Sequence, residues 1–207
     1  MTAESLERFL NDPEQLVTPL RIPDPRAVAD PEPLVLRAAR EADLPELRRL
    51  DEEVFQEVAY PGFLLRQLWD MYAEHFLVLD DGRGRLRGYV LAGTTALDRE
   101  SWILGLCVAE DRRRHGLGRE LMEEVLARLR RCGTERVRLT VEPANRAAIL
   151  LYRSLGFVPE PPDGGLRRDY FGPGMDREVM FLDIGPLDRE AGYASLRTAS
   201  APPPAVG

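Results

Sequence analysis

The sequence contains no lysine, and all 28 of its basic residues are arginine. It has only two cysteines, Cys107 and Cys132, and their spacing matches neither a disulfide framework nor a metal site. It also has only two histidines, His75 and His115, so a histidine-rich metal site is not expected. We therefore predict reduced thiols and no bound metal.

Long apolar runs are missing too, because none approaches the length of about 20 residues that spans a bilayer. Residues 1–11 have neither the basic nor the apolar segment of a signal peptide. With 44% hydrophobic and 30% charged residues, the composition is that of a soluble globular protein. We expect a cytoplasmic protein without membrane association.

Basic residues are fewer than acidic ones, 28 against 35, so the formal net charge is -7. A dedicated nucleic-acid-binding protein needs a basic surface, so we expect no nucleic-acid partner. The negative charge favours cationic partners such as amines through long-range attraction. An ordinary acidic surface explains the same charge equally well.

The chain divides into a central domain and two terminal arms. Residues 1–33 have a helical pattern near residues 3–10 and then six prolines, which predicts an extended arm without ladder hydrogen bonds. Residues 185–207 are rich in small residues and proline, which predicts a disordered tail. Residues 34–184 remain as one domain of ordinary size.

Strands and helices alternate through this central domain, which predicts an α/β fold with a mixed sheet and helices on its faces. Asp43, followed three residues later by Glu46, predicts a capping box, and the inner stripe of that helix extends to Val58. Unbroken apolarity at 102–108 predicts a strand buried on both faces. The strand patterns are at 34–36, 76–79, 88–92, 102–108, 137–141 and 179–184, and the helical patterns follow Asp43 and cover 64–72, 117–131 and 146–155.

The most informative segment is a basic, glycine-containing turn at residues 110–119, which joins the apolar strand to a long amphipathic helix. Backbone N–H groups at a helix start lack intrahelical partners, and the helix dipole adds partial positive charge there. Gly116 and Gly118 let a phosphate approach the backbone, and the arginines suit a pyrophosphate. The turn predicts a phosphate site; an ordinary turn with solvated arginines is the alternative.

A second segment combines a helix cap with a tyrosine. Asn145 is a good N-cap, and Tyr152 follows about two turns later, about 10 Å along the helix axis. Both side chains can point to one side of the helix, where a phenol could protonate a departing thiolate. The alternative is a plain cap and a core tyrosine in a stripe with Ala148 and Leu155.

Together the two segments resemble the coenzyme A-binding motifs of the GNAT superfamily of N-acetyltransferases. Arg113-x-x-Gly116-x-Gly118 after a strand is similar to the pyrophosphate motif, and residues 145–157 are similar to the second motif. The resemblance extends over residues 34–184. It implies a central, mostly antiparallel sheet flanked by helices, with acetyl-coenzyme A as cosubstrate and an amine as acceptor.

The resemblance also implies roles for individual residues. Amides at or near Cys107 or Val108 would hold the pantetheine arm and stabilise the oxyanion. Asn145 would contact the pantetheine or phosphate region, and Tyr152 would be catalytic, protonating the thiolate. The implied cofactor-binding residues are Leu106, Cys107, Val108, Arg113, Arg114, His115, Gly116, Leu117, Gly118, Arg119 and Asn145.

The general base stays open. Family members that acetylate ribosomal-protein N-termini carry a glutamate five residues before the asparagine, where this sequence has Thr140. The candidate bases, each better explained as a solvated surface residue, are Glu52, Glu53, Glu57, Asp98, Glu100 and Glu142. Aromatic residues that would line the acceptor pocket, or simply form a core, are Phe55, Tyr60, Phe63, Trp69, Tyr72, Tyr170 and Phe171.

The acceptor is expected to be a small-molecule or peptide amine. A catalytically silent acyl-coenzyme A-binding module on the same fold is the competing function, although Tyr152 and the intact glycine turn favour an enzyme. A Rossmann-type nucleotide-binding protein is disfavoured, because the turn follows the third strand of an antiparallel run. Either arm could cover the acceptor cleft or pair with a second subunit in a homodimer.

Overall fold

The computed structural model describes residues 20–22, 34–95, 99–161 and 164–185. The helices are α1 (Leu44–Phe55), α2 (Gly62–Tyr72), α3 (Leu117–Arg131) and α4 (Arg146–Ser154). The strands are β1 (Leu20–Ile22), β2 (Leu34–Ala38), β3 (Phe76–Asp80), β4 (Leu86–Thr94), β5 (Glu100–Val108), β6 (Arg136–Val141), β7 (Val158–Pro159), β8 (Leu166–Arg167) and β9 (Arg177–Asp183). Within these ranges the strands form one sheet in the order β1-β2-β3-β4-β5-β6-β9-β7, and β8 also pairs with β9.

Among the described strands, one pair of neighbours in this sheet is parallel. β1 to β5 pair antiparallel with their neighbours, whereas β5 and β6 are parallel. β6, β7 and β8 are antiparallel to β9. A parallel pair needs a crossover connection, and α3 supplies it between β5 and β6. The predicted α/β fold, with a mixed and mostly antiparallel sheet flanked by helices, is confirmed.

The helices cover both faces of the sheet. α1 and α2 pack on one face, in a core that includes Leu47, Leu65 and Tyr89. α3 and α4 pack on the other face, in a core that includes Leu121 and Tyr152. Successive strand residues point to opposite faces, so the strands contribute to both cores. None of the described helices is long and apolar enough to cross a membrane.

Helix α3 has the predicted bounds, because its signals are local. Its inner stripe is buried, as the helical spacing predicts. Gly133 follows the helix with a φ of 89°, and the Thr134 N–H donates to the Leu129 carbonyl at 3.0 Å. These bonds close the C-terminal turn in the way that a glycine with positive φ allows.

The capping box predicted at Asp43 and Glu46 is wrong. The Asp43 carboxylate accepts a hydrogen bond from the Arg40 backbone N–H at 2.7 Å and pairs with Arg37 at 2.6 Å. Arg37 lies on β2 and also pairs with Asp80 on β3 at 2.8 Å. An ion-pair network outside the helix therefore takes the carboxylate that was expected to cap it.

The inner stripe of α1 also stops earlier than predicted. Gln56 has a φ of 51°, which ends the helix after Phe55. Val58 then lies in a 3-10 turn and is 56% exposed instead of being part of the core.

Part of the N-terminal arm joins the sheet, contrary to the expectation that its prolines prevent ladder pairing. Residues 20–22 lie between Pro19 and Pro23 and pair with β2 as an edge strand. A three-residue segment free of proline is enough for pairing at a sheet edge. The two-residue strands β7 and β8 are too short to show periodicity in the sequence. The helical pattern at 3–10, the rest of the arm and the tail from residue 186 onward lie outside the described residues.

Candidate active site

An opening separates β5 from β6. The two strands pair only over residues 100–103 of β5 and 136–139 of β6. Beyond these residues β5 follows β4, and β6 follows β9. In the described part of the chain, unpaired edges at residues 104–108 and 140–141 therefore face each other across a gap.

A β-bulge at Leu104 marks the point of separation. Ala92 of β4 pairs with Ile103 and Leu91 pairs with Gly105, which leaves Leu104 as the extra residue. A bulge bends its strand and increases the local twist. The bend directs the second half of β5 away from β6.

The amides of Leu106 and Val108 face the opening. Ala109 donates a backbone hydrogen bond to Arg87 at 2.9 Å, which fixes the phase of the ladder between β4 and β5. Hydrogen-bonded and non-hydrogen-bonded pairs alternate in an antiparallel ladder, so Cys107 bonds to β4 whereas its two neighbours point away from it. The resemblance implies that Leu106, Cys107 and Val108 bind the cofactor. Of these three, Cys107 uses its amide within the sheet, so that amide is not available to a ligand.

The Cys107 side chain is also unavailable to a ligand, because it is buried. It is 2% exposed, and burial raises the pKa of its thiol to about 12. A thiol with this pKa is protonated at neutral pH and is a poor nucleophile.

Strand β5 is less buried than predicted, because it is not covered on both faces. Its burial alternates: Ser101, Ile103 and Cys107 are buried, while the other residues of the strand are half-exposed. The half-exposed positions include Leu106 and Val108, beside the opening. An apolar strand that lines a groove has the same sequence signature as one buried in a core.

The turn after β5 ends at an open helix N-terminus. Gly116 is the N-cap of α3 and has a φ of 81°, a conformation that favours glycine. No side chain of the described residues caps this helix, and the Arg119 and Glu120 amides both bond to the Gly116 carbonyl. The amides of Leu117 and Gly118 are left for a ligand, and the helix dipole adds positive charge. This geometry fits a phosphate.

Gly118 also has a packing role that the sequence does not reveal. A Cβ at this position would lie 3.3 Å from Cδ2 of Leu151 on α4, so the glycine permits close packing of α3 on α4. Arg119 supports the same contact by donating to the Ser154 hydroxyl at 2.5 Å. The spacing of the two glycines thus serves both the turn and the helix packing behind it.

The basic residues of the turn differ in how they are held. Nε of Arg113 donates to the Val108 carbonyl at 3.1 Å, which ties the turn back to the end of β5. Arg114 and His115 are exposed, and Arg114 has a φ of 66°.

Helix α4 carries the second predicted pair. The Asn145 side chain accepts a hydrogen bond from the Ala148 N–H at 3.1 Å, which confirms the N-cap. Tyr152 is 6% exposed, and its ring packs against Phe157 with centroids 5.9 Å apart. Burial raises the pKa of Tyr152 to about 12. The ring is a core residue, and proton donation by its hydroxyl stays a prediction.

On the other face of the sheet, a buried carboxylate connects three elements to the opening. Asp51 is 0% exposed; it accepts hydrogen bonds from the Tyr60 N–H at 2.6 Å and from the Tyr89 hydroxyl. The Tyr60 hydroxyl in turn donates to the Leu104 carbonyl at the bulge, at 2.7 Å. Burial raises the pKa of Asp51, and no basic residue of the described ranges pairs with it. The network holds the segment before α2 against the free edge of β5.

Sequence reasoning missed this network, although a signal for it exists. Asp51 follows Leu47 and Leu50 at helical spacing, which places it on the inner stripe of α1. A charged residue at such a position predicts a buried polar contact, but its partners, Tyr60 and Tyr89, come from other elements.

The family model described as the acetyltransferase (GNAT) family matches residues 44–157. The chain belongs to this family. The family resemblance predicted from the glycine turn and the second motif is therefore confirmed.

Individual members of the GNAT family are similar to this chain over part or most of its length. The ribosomal protein bS18-alanine N-acetyltransferase of Escherichia coli K12 is 37% identical over 88 residues, which cover 42% of this chain and 57% of that protein. The N-alpha-acetyltransferase RimI of Mycobacterium tuberculosis is 33% identical over 164 residues, or 76% of this chain and 97% of that protein. A phosphinothricin acetyltransferase from Sinorhizobium meliloti, solved in complex with acetyl-coenzyme A, has the same fold, with a TM-score of 0.61 at 20% identity over 75% of this chain and 94% of that chain.

The aromatic residues expected around the acceptor of a GNAT protein fall into two groups. Phe55, Tyr60, Trp69 and Tyr72 pack in or against the core under α1 and α2. Trp69 is structural there, because its Nε1 donates to the Ala39 carbonyl at 3.0 Å. The exposed group, free to meet a second substrate, is Phe63 (70% exposed), Tyr170 (42%) and Phe171 (56%).

The candidate bases are also separated by the structure. Glu52 and Glu53 lie on the exposed side of α1 in ion pairs with arginines, and Glu57 is exposed in the next turn. Glu100 accepts from Trp102 Nε1 at 3.1 Å and lies at the far end of the paired segment, away from the opening. Glu142 follows β6 directly, at the mouth of the opening. Asp98 lies outside the described residues.

Proposed function

We propose that the chain is an acetyl-coenzyme A-dependent N-acetyltransferase that transfers an acetyl group to a primary amine by direct attack on the thioester. One observation carries the proposal: the opening between β5 and β6 leads from the free amides of Leu106 and Val108 to the uncapped N-terminus of α3. A ligand with amide groups at one end and a pyrophosphate at the other matches this succession of donors.

The residues present fit acetyl-coenzyme A, which supplies the activated acetyl group. The Leu106 and Val108 amides would bind its pantetheine arm and polarise the thioester carbonyl, a role usually worth a few kcal/mol. The turn amides up to Gly118 would hold the pyrophosphate, with Arg114 adding charge. The Asn145 oxygen is used by the cap, which leaves its amide nitrogen as a donor.

Proton transfer would fall to two residues that follow β6 in the chain. Tyr152, with its raised pKa, stays protonated at neutral pH and would donate to the departing thiolate. Of the candidate bases we favour Glu142, because it follows β6 directly, and it would accept the amine proton, directly or through water. The buried and protonated Cys107 thiol supports direct transfer without a covalent enzyme intermediate.

Within the acceptor class, we propose the α-amino group of an extended peptide. The support comes from two relatives, which are named as N-acetyltransferases of bS18 alanine and of α-amines. The exposed aromatic side chains of Phe63, Tyr170 and Phe171 would offer apolar contacts for the first residues of such a peptide. Thr140, where ribosomal-protein acetyltransferases carry glutamate, requires the base to come from elsewhere.

The test is a thiol-release assay with acetyl-coenzyme A against N-terminal peptides, polyamines, amino acids and aminoglycosides, with calorimetric titration of the cosubstrate. We expect turnover on peptides alone. Turnover on another class only would show that the proposed peptide acceptor is wrong. Binding without any turnover favours the silent module, and no binding refutes the site. Because the sequence has no lysine, acetylation of the protein's own side-chain amines adds no background.

A further inference from the structure

Three metal-binding side chains lie together at the C-terminal end of α3, remote from the glycine turn. A ring nitrogen of His75, Sγ of Cys132 and a carboxylate oxygen of Glu74 all lie within 4.8 Å of one another. Glu74 and His75 belong to the 3-10 turn before β3, and Cys132 is the C-cap of α3. Imidazole, thiolate and carboxylate are the ligands that zinc takes in proteins.

His75 gives an independent observation that points to a ligand. The residue is only 7% exposed, and its Nε2 is buried without a hydrogen-bond partner among the described residues. Buried polar atoms are nearly always paired, so an open ring nitrogen requires an explanation. No group of the described residues hydrogen-bonds to this nitrogen, and coordination of a cation would satisfy it.

The surrounding charges suit a divalent cation. The Glu74 carboxylate and a Cys132 thiolate together would neutralise it. The neighbouring cation, Arg128, is already engaged: Nε pairs with Glu124 at 2.8 Å and Nη1 donates to the Glu74 backbone carbonyl at 3.0 Å. Arg131 lies 3.6 Å from the same Glu124 carboxylate. Glu74 and Cys132 are exposed, which gives an ion access from solvent.

We propose that Glu74, His75 and Cys132 form a binding site for a divalent transition metal of the zinc class, with water as the fourth ligand. The 15 residues of α3 put this site about 22 Å from the glycine turn, so its role is structural. The ion would fasten the turn before β3 to the end of α3. The sequence spacing does not reveal the site, because two ligands are adjacent and the third is distant in the chain.

Cobalt(II) is the probe, because thiolate coordination gives this ion a charge-transfer absorption. Every cysteine and histidine of the chain lies in the described ranges, so such a band can arise only from Cys107 or Cys132. We expect the reduced full-length protein to bind one cobalt ion, to release it to zinc, and to gain thermal stability with zinc. Cys132→Ser should abolish the band and weaken zinc binding at least about tenfold.

Matched variants locate the ion. Glu74→Gln, at an exposed position, should also weaken binding, while Cys107→Ala should not. Absence of the band together with an unchanged melting temperature overturns the proposal, as does equal zinc affinity in Cys132→Ser. Loss of binding in His115→Gln alone would move the ion to the glycine turn and would also overturn it. None of these readouts depends on acetyl transfer, so the metal site and the proposed activity succeed or fail separately.

Discussion

The two faces of the sheet next to the opening depend on different kinds of interaction. On the face of α3 and α4, the groups that we propose to bind the cosubstrate are backbone amides, held by a helix start, a glycine turn and apolar packing. On the face of α1 and α2, Tyr60 is held by Asp51, a buried carboxylate that joins α1, β4 and the segment before α2. The first face would meet a constant cosubstrate, and the second would meet the variable acceptor. Substitutions should therefore affect the two ligands separately.

The largest expected effect is on the cofactor side. We expect Gly118→Glu to abolish acetyl-coenzyme A binding, because the side chain must enter a space where a Cβ alone lies 3.3 Å from Leu151 Cδ2, and its carboxylate repels phosphate. Calorimetry on the folded variant measures this. Gly118→Ala adds the Cβ without the charge and so separates packing from repulsion. Unchanged affinity in folded Gly118→Glu would refute the phosphate site.

Tyr152→Phe tests chemistry without binding. We expect turnover to fall about tenfold to a thousandfold, because the departing thiolate loses its proton donor, while acetyl-coenzyme A affinity stays the same. Single-turnover kinetics and calorimetry measure the two quantities. Tyr170→Phe, which removes an exposed hydroxyl, is the matched control. Wild-type turnover in Tyr152→Phe would leave the tyrosine as a core residue only.

Asp51→Ala tests the acceptor side. It leaves the Tyr60 N–H and the Tyr89 hydroxyl without their acceptor, so we expect the free energy of unfolding to fall by about 1–3 kcal/mol. The KM for the amine should rise, while affinity for acetyl-coenzyme A is kept. Urea unfolding and steady-state kinetics check both expectations. Glu52→Gln, on the exposed side of α1, should change stability by less than about 0.5 kcal/mol. An equal loss of both ligand affinities would show that the two sides are coupled.

The smallest effect concerns pH. Burial raises the pKa of Asp51 above its unfolded value of about 4. A raised carboxyl pKa contributes stability that is present below the unfolded pKa and is lost as the pH rises through the folded pKa. Asp51→Asn lacks this titration, so its melting temperature relative to wild type should rise with pH across that window. A difference that stays constant with pH would contradict burial of an ionisable carboxyl.

The parts that the sequence predicts well are those with local signals. The bounds of α3 follow from its apolar stripe and from Gly133, and the cap of α4 follows from Asn145. The glycine turn is equally local, since one short segment contains both the turn and the helix start. The Asp43 capping box failed because Arg37, a neighbour only in the folded chain, competes for the carboxylate.

The opening itself could not be predicted, because it depends on register. The sequence of residues 100–108 does not predict that β5 pairs with β6 over its first four residues only, or that Leu104 forms a bulge. The availability of individual amides depends on the same register, which is why Cys107 was grouped with Leu106 and Val108. The roles of Asp51 and Tyr60 likewise depend on contacts between elements distant in sequence.

The bulge at Leu104 implies that deletion of one residue could remove the opening. Because Ile103 and Gly105 pair with consecutive residues of β4, deletion of the single codon for Leu104 would leave both neighbours in register. The strand would lose its bend and the carbonyl that anchors Tyr60, and β5 could continue alongside β6. We therefore expect that deletion of this one residue would convert a sheet with a groove into a continuous sheet.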